Sequence, residues 1–148
     1  MAVAVLLAAC GGGGPGKALS QAQLIAKVNA ECQHLQRAST DLVNAQDPTA
    51  KGARVARYLH AAASELRGRA QAIGALNPPA SRVGEIQRFA SLLGRYADQL
   101  DALADRTRSG EGYNDLLTRS TGQVNALNGL SDQANSIAAA LGFTACAT

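Results

Sequence analysis

The chain reads as an all-α protein, an up-down-up-down bundle of four helices that follows an export signal and a glycine-rich tether. Three observations lead there. Aromatic residues are only 3% of the 148 residues and tryptophan is absent, so a core must be assembled from alanine and aliphatic side chains, which favour close-packed helices. Apolar residues recur at alternating spacings of three and four in four successive stretches, the period of one helical face. Turn signals rich in Pro, Gly and Asn separate those stretches.

The first element, residues 1–9, reads as a signal peptide. From Ala2 to Ala9 the chain is uncharged, consists of Ala, Val and Leu, and ends in small residues ahead of Cys10. Leu7-Ala8-Ala9-Cys10 resembles the lipobox of bacterial lipoproteins, in which the cysteine thiol receives a diacylglyceryl group and becomes the mature N-terminus. The resemblance implies lipidation of Cys10 and a place on the outer face of the plasma membrane. No Lys or Arg precedes the apolar run, from which we expect a start codon upstream of Met1. The run falls short of the ~20 residues that span a bilayer. Two acyl chains would instead anchor the protein, at about 0.8 kcal/mol per buried methylene. Gly11 to Gly14, Pro15 and Gly16 offer no side chains for a core, so residues 10–19 are expected to form a flexible tether. Such a tether would hold the domain, residues 20–148, roughly 10–20 Å from the membrane.

In the first helical stretch Ser20 and Gln23 form a capping-box pattern. Ile25, Val28, Cys32, Leu35 and Leu42 then trace one face, with Ser39 in the slot between the last two, and predict a helix over 21–44. Asp47-Pro48 is an N-cap and first-turn pair for the second helix. Its stripe runs through Val55, Leu59, Ala62, Leu66, Ile73 and Leu76, with Arg69 in an apolar slot, its stem expected to snorkel to the surface. Leu76-Asn77-Pro78-Pro79 ends that helix, because a prolyl ring disfavours helical geometry in the residue before it.

The third stripe, from Val83 through Ile86, Ala90, Leu93 and Ala97 to Ala104, is unbroken and predicts a helix over 81–108. Ser109-Gly110-Glu111-Gly112 turns the chain. The fourth stripe, from Tyr113 to Leu141, has Ser120 and Ser131 in core slots and Gly122 inside it, so a kink is expected near Thr121-Gly122. Gly142 is a natural C-terminal cap, after which 143–146 should fold back toward the first helix. A long two-helix coiled coil is the alternative architecture, against which the Asp47-Pro48 break argues.

With Cys10 assigned to lipid, Cys32 and Cys146 remain. Outside the cell they are expected to form a disulfide, the alternative being two separate buried thiols. A bridge closing so long a loop would stabilise by somewhat under about 5 kcal/mol through chain entropy. Asn29-Ala30-Glu31-Cys32, Leu76-Asn77-Pro78-Pro79 and Leu141-Gly142-Phe143-Thr144-Ala145-Cys146 together resemble small actinobacterial lipoproteins of uncharacterised function. The excess of Arg over Lys fits a GC-rich genome. The resemblance implies a helical envelope protein with a bridge from first helix to C-terminus, and it implies no activity.

The net charge of +3 is modest, and the basic surplus lies in the second helix, where Lys51, Arg54 and Arg57 form a possible anion-contact face for lipid headgroups or an envelope polymer. Basic residues without interleaved aromatics do not read as a nucleic-acid surface. Glu31 and His34 form one Glu-x-x-His unit, where bundle di-iron sites use two plus two further Glu. The stripe through Cys32 and Leu35 turns both toward the flank, so no metal is expected. His60 adjoins its stripe without joining it and reads as a solvated histidine, and no cofactor is expected. Asp98, Asp101 and Asp105 share one exposed face near Arg95, Arg106 and Arg108 and read as a charge network. Neither a nucleophile elbow nor a phosphate loop is present. Gly122, Gly129 and Ser136 recur every seven residues opposite the fourth stripe, a smooth face for another helix. The expectation is a non-catalytic, lipid-anchored envelope protein, an interaction or scaffold module for an envelope protein or polymer. The runner-up is a binding protein holding a small apolar ligand between helices, which requires an interior cavity lined by Tyr58, Phe89 or Tyr96.

Overall fold

The computed structural model describes residues 17–45, 47 and 49–147. The expected signal peptide, the lipobox with Cys10 and the glycine run lie outside the described residues, as do Gln46, Pro48 and Thr148. The described chain is all-α: α1 (Gln21–Ala45), α2 (Ala53–Gly74), a 3-10 turn (Ala80–Arg82), α3 (Val83–Asp105), α4 (Tyr113–Arg119) and α5 (Thr121–Leu141). Among the described residues, no helix is long and apolar enough to cross a membrane.

The capping box that opens α1 forms as the sequence predicts. Ser20 Oγ accepts the Gln23 N–H at 3.2 Å, and the Ser20 N–H donates to Gln23 Oε1 at 2.9 Å. One residue earlier the Leu19 N–H donates to the Asn77 carbonyl at 2.8 Å, so the start of α1 is held to the chain just past α2.

The second helix starts later than Asp47-Pro48 predicts. The Asp47 carboxylate accepts the Thr49 N–H at 2.8 Å and the Thr49 hydroxyl at 2.6 Å, and the Ala50 N–H donates to the Asp47 carbonyl, closing a tight turn in place of a helix cap. Gly52 then redirects the chain at φ 54°, which L side chains rarely adopt. Its N–H donates to the Glu111 carbonyl at 2.8 Å beside a Lys51–Gly112 bridge. A Cβ at Gly52 would lie 3.3 Å from the Gly110 nitrogen, so the two loops meet backbone to backbone.

Across the Pro78-Pro79 turn, α3 packs antiparallel to α2. His60 near the start of α2 meets Asp101 and Asp105 near the end of α3. Beyond the next loop the fourth stretch is two helices. Ser120, 6% exposed, ends α4 and precedes α5, and the Thr121 hydroxyl donates to the Thr118 carbonyl at 2.7 Å in competition with the helix ladder. The break falls one residue before the predicted kink. Hydroxyl side chains make it, and a Cβ at Gly122 would meet nothing within 4 Å. At the end of α5, Gly142 at φ 78° and the bonds Phe143 N–H to Ala138 and Gly142 N–H to Ala139 form a Schellman cap that turns the tail back toward α1.

The buried apolar residues fall into unequal groups. One end of the molecule holds Leu24, Val28, Ile73, Ile86, Phe89 and Phe143. The other holds Val55, Leu59, Leu103, Leu116 and Leu127. Between them, among the described residues, a small group of Ala63, Leu66 and Ala97 is buried together.

Candidate functional site

Where the core thins, a cleft of about 600 Å³ opens. Its volume falls inside the ~300–1,000 Å³ of small-molecule sites. The floor is built from α2 and α3, with Leu59, Leu66, Phe89, Leu92 and Leu93. One wall is the C-terminal half of α1, through Leu35, Ser39 and Leu42; the facing wall is α5, through Leu130, Ser131 and Ala134. The sequence leaves the space by losing bulk at one level of several helices. Ser39 stands in a stripe slot of α1, Ala62 in one of α2 and Ser131 in one of α5, and all three line the cleft.

The two ends differ in chemistry. One is closed by the Cys32–Cys146 disulfide, with Cα atoms 5.2 Å apart across a separation of 114 residues. Around it α1 grips the tail. The Asn29 side-chain oxygen accepts the Ala145 N–H at 3.0 Å, and Gln36 Nε2 donates to the Ala145 carbonyl at 2.7 Å. Phe143, fully buried behind this end, packs against Phe89 with ring centroids 5.9 Å apart.

Toward the other end lie Tyr58 and Tyr113, edge to face at 6.1 Å and 89°, with Tyr96 also lining the space. Burial pushes the Tyr96 hydroxyl above its ordinary pKa of 10. Burial also raises Tyr113, helped by the neighbouring Tyr58 and Tyr96. Both phenols therefore stay protonated. None of the three hydroxyls bonds to another described residue.

Glu65 is the one charged side chain lining the cleft among the described residues. Its Oε2 lies 3.7 Å from Arg69 Nε, while Arg69 Nη1 reaches Glu31 Oε2 at 2.9 Å. Arg69 thus crosses to α1 instead of snorkelling to water, and Glu31 of the Glu-x-x-His unit is its partner. His34 is exposed. Among the described residues no group of three or more His, Cys, Asp or Glu is placed to hold a metal ion.

The other residues singled out in the sequence lie away from the cleft. Asp98 and Asp101 pair with Arg67 of α2 at 2.9 and 2.7 Å, and Asp101 also bonds His60 at 2.8 Å, so the network ties α2 to α3 and does not run along one helix. Burial pushes the Asp101 carboxyl up, but the bonds from His60 and Arg67 outweigh it and hold the group below its ordinary range. On the basic face, Arg54 pairs with Asp47 at 3.2 Å, and Lys51 and Arg57 are exposed. Gly122 and Ser136 are exposed and Gly129 is half-buried, with nothing within 4 Å of a Cβ placed at either glycine.

No protein-family profile, curated protein or solved structure matches the chain. Tyr58, Phe89 and Tyr96 were legible as potential cavity residues. Tyr113 as a cleft residue, and the Cys32–Cys146 bridge as a cleft wall, were not. The available signal was the run of serines in apolar slots.

Proposed function

We propose that this chain is a lipid-anchored, non-catalytic binding protein of the cell envelope that holds a small, largely apolar ligand between its helices. The carrying observation is the 600 Å³ cleft lined by Tyr58, Phe89 and Tyr96. In this reading the helices form an up-down-up-down bundle whose fourth rod is broken at Ser120, with α1 and α5 as the jaws. Binding is favoured over catalysis because the lining is mostly aliphatic and aromatic with a few neutral polar side chains, and its one carboxylate faces Arg69. The anchor rests on Leu7-Ala8-Ala9-Cys10 and the glycine run, with lipid on Cys10 placing the domain on the outer face of the plasma membrane.

Nile red, an uncharged apolar dye, tests the site: it binds at one-to-one stoichiometry, and Ser131→Leu, which fills the cleft, abolishes binding while circular dichroism stays helical. Dye binding unaffected by that substitution would refute the site. Metabolic labelling with radioactive palmitate tests the anchor, since a Cys10→Ala chain that still labels would refute it. An interaction module is the second reading, supported by exposed Lys51 and Arg57 as a face for anionic envelope polymer or headgroups. It predicts salt-sensitive co-sedimentation with anionic vesicles that Lys51→Glu with Arg57→Glu removes.

A further inference from the structure

The cleft is chemically graded along its length. At the bridge end it is closed by disulfide sulfur and Ala145; leucines and alanines line its length together with Ser39, Thr40, Glu65, Ser131 and Asn135; Tyr58 and Tyr113 stand toward the far end, and Tyr96, the third tyrosine of the chain, packs against all three core groups. The tyrosine hydroxyls bond to no other described residue. A phenol hydroxyl both donates and accepts a hydrogen bond, which suits a hydroxyl or carbonyl equally.

A charged head is disfavoured on two grounds. Among the described lining residues there is no Lys, Arg or His, so an anion would exchange its hydration for neutral hydrogen-bond donors with no opposite charge beside it. For a cation, Glu65 lies two helical turns from Tyr58, about 10 Å along α2, and Arg69 already faces it. The edge-to-face packing of Tyr58 and Tyr113 also covers one ring face that a cation would need. The α1 wall between Cys32 and Leu42 is about 15 Å long, room for a chain of moderate length laid along the leucines.

Resting on the cleft as a ligand site, we propose that its occupant is an uncharged amphiphile, an apolar chain or ring body bearing a hydroxyl or carbonyl head that Tyr58, Tyr96 and Tyr113 engage. The body lies over Leu66 and Leu93, and the bridge end receives its apolar terminus.

The test is displacement of Nile red from the unmodified protein by dodecanol, dodecanoate and dodecyltrimethylammonium, three probes sharing one chain. Dodecanol is expected to bind at least about tenfold tighter than either ion, the value of roughly one good hydrogen bond with the ionic heads left unpaired. In the triple variant Tyr58→Phe, Tyr96→Phe, Tyr113→Phe, which keeps all three rings, the dodecanol preference falls to within about twofold. The single change Tyr96→Phe serves if the triple variant does not fold, and a several-fold loss of preference is then expected. Equal binding of all three probes, or tightest binding of either ion, would overturn the neutral-head assignment and leave the apolar cleft standing. Absence of dye and probe binding would overturn both.

Discussion

Glu111 shows how much one side chain organises. Its Oε1 accepts Arg119 Nε at 2.7 Å, and its Oε2 accepts Arg119 Nη2 at 2.8 Å and the Arg108 N–H at 2.9 Å, while its own carbonyl receives Gly52. The Arg119 bonds first, then the Arg108 N–H, hold its carboxyl down from an ordinary 4.5 to about 2. A depressed folded-state pKa gives stability that is full above 4.5 and lost as pH falls toward 2. Glu111→Gln should therefore flatten the acid limb of the stability curve over that window, as measured by urea unfolding at stepped pH. Phe89 is the apolar counterpart at the same scale, fully buried and lining the cleft. Phe89→Ala should cost about 3–5 kcal/mol in chemical denaturation.

At the scale of elements, local chemistry was readable where both partners lie close in sequence. Ser20 with Gln23 and the Gly142 cap are such cases, and both form as their spacing implies. The start of α2 was not readable, because Asp47 has two uses for its carboxylate and the choice is settled by a loop distant in the chain. Gly52 lies against Gly110 and Glu111, and no pattern within 46–53 reveals that contact. Gly52→Ala should lower stability by about 1–2 kcal/mol from backbone strain alone, read as a shift in the denaturation midpoint. Arg69 is a related case: an apolar slot holds a cation because Glu31 on α1 awaits it. The disulfide joins α1 to the tail, so Cys32→Ala and Cys146→Ala should each lose about 2–5 kcal/mol, and the double variant no more than either. Additive losses on thermal unfolding would contradict the bridge.

For the molecule as a whole, each stripe could be read alone, but their alignment could not. Ser39 and Ser131 each looked like a local lapse in its own helix, and Ala62 like an ordinary member of its stripe. Only the packed structure shows that they face one space. The all-α class follows from the period of the stripes, and the divided core follows from where those small side chains meet. Filling that space with Ser39→Leu and Ser131→Leu should raise the melting temperature by several degrees through added apolar burial while removing ligand binding. A stabilised variant that still binds Nile red would place the dye elsewhere.

The central claim is that the chain is built around an accessible apolar cleft between α1 and α5. Methyl-labelled leucine NMR during titration with dodecanol tests it most directly. The methyls of Leu35, Leu66 and Leu93 should shift together and saturate at one equivalent, while those of Leu103 and Leu116, buried outside the cleft, stay in place. Shifts scattered over surface leucines, or none at all, would contradict it.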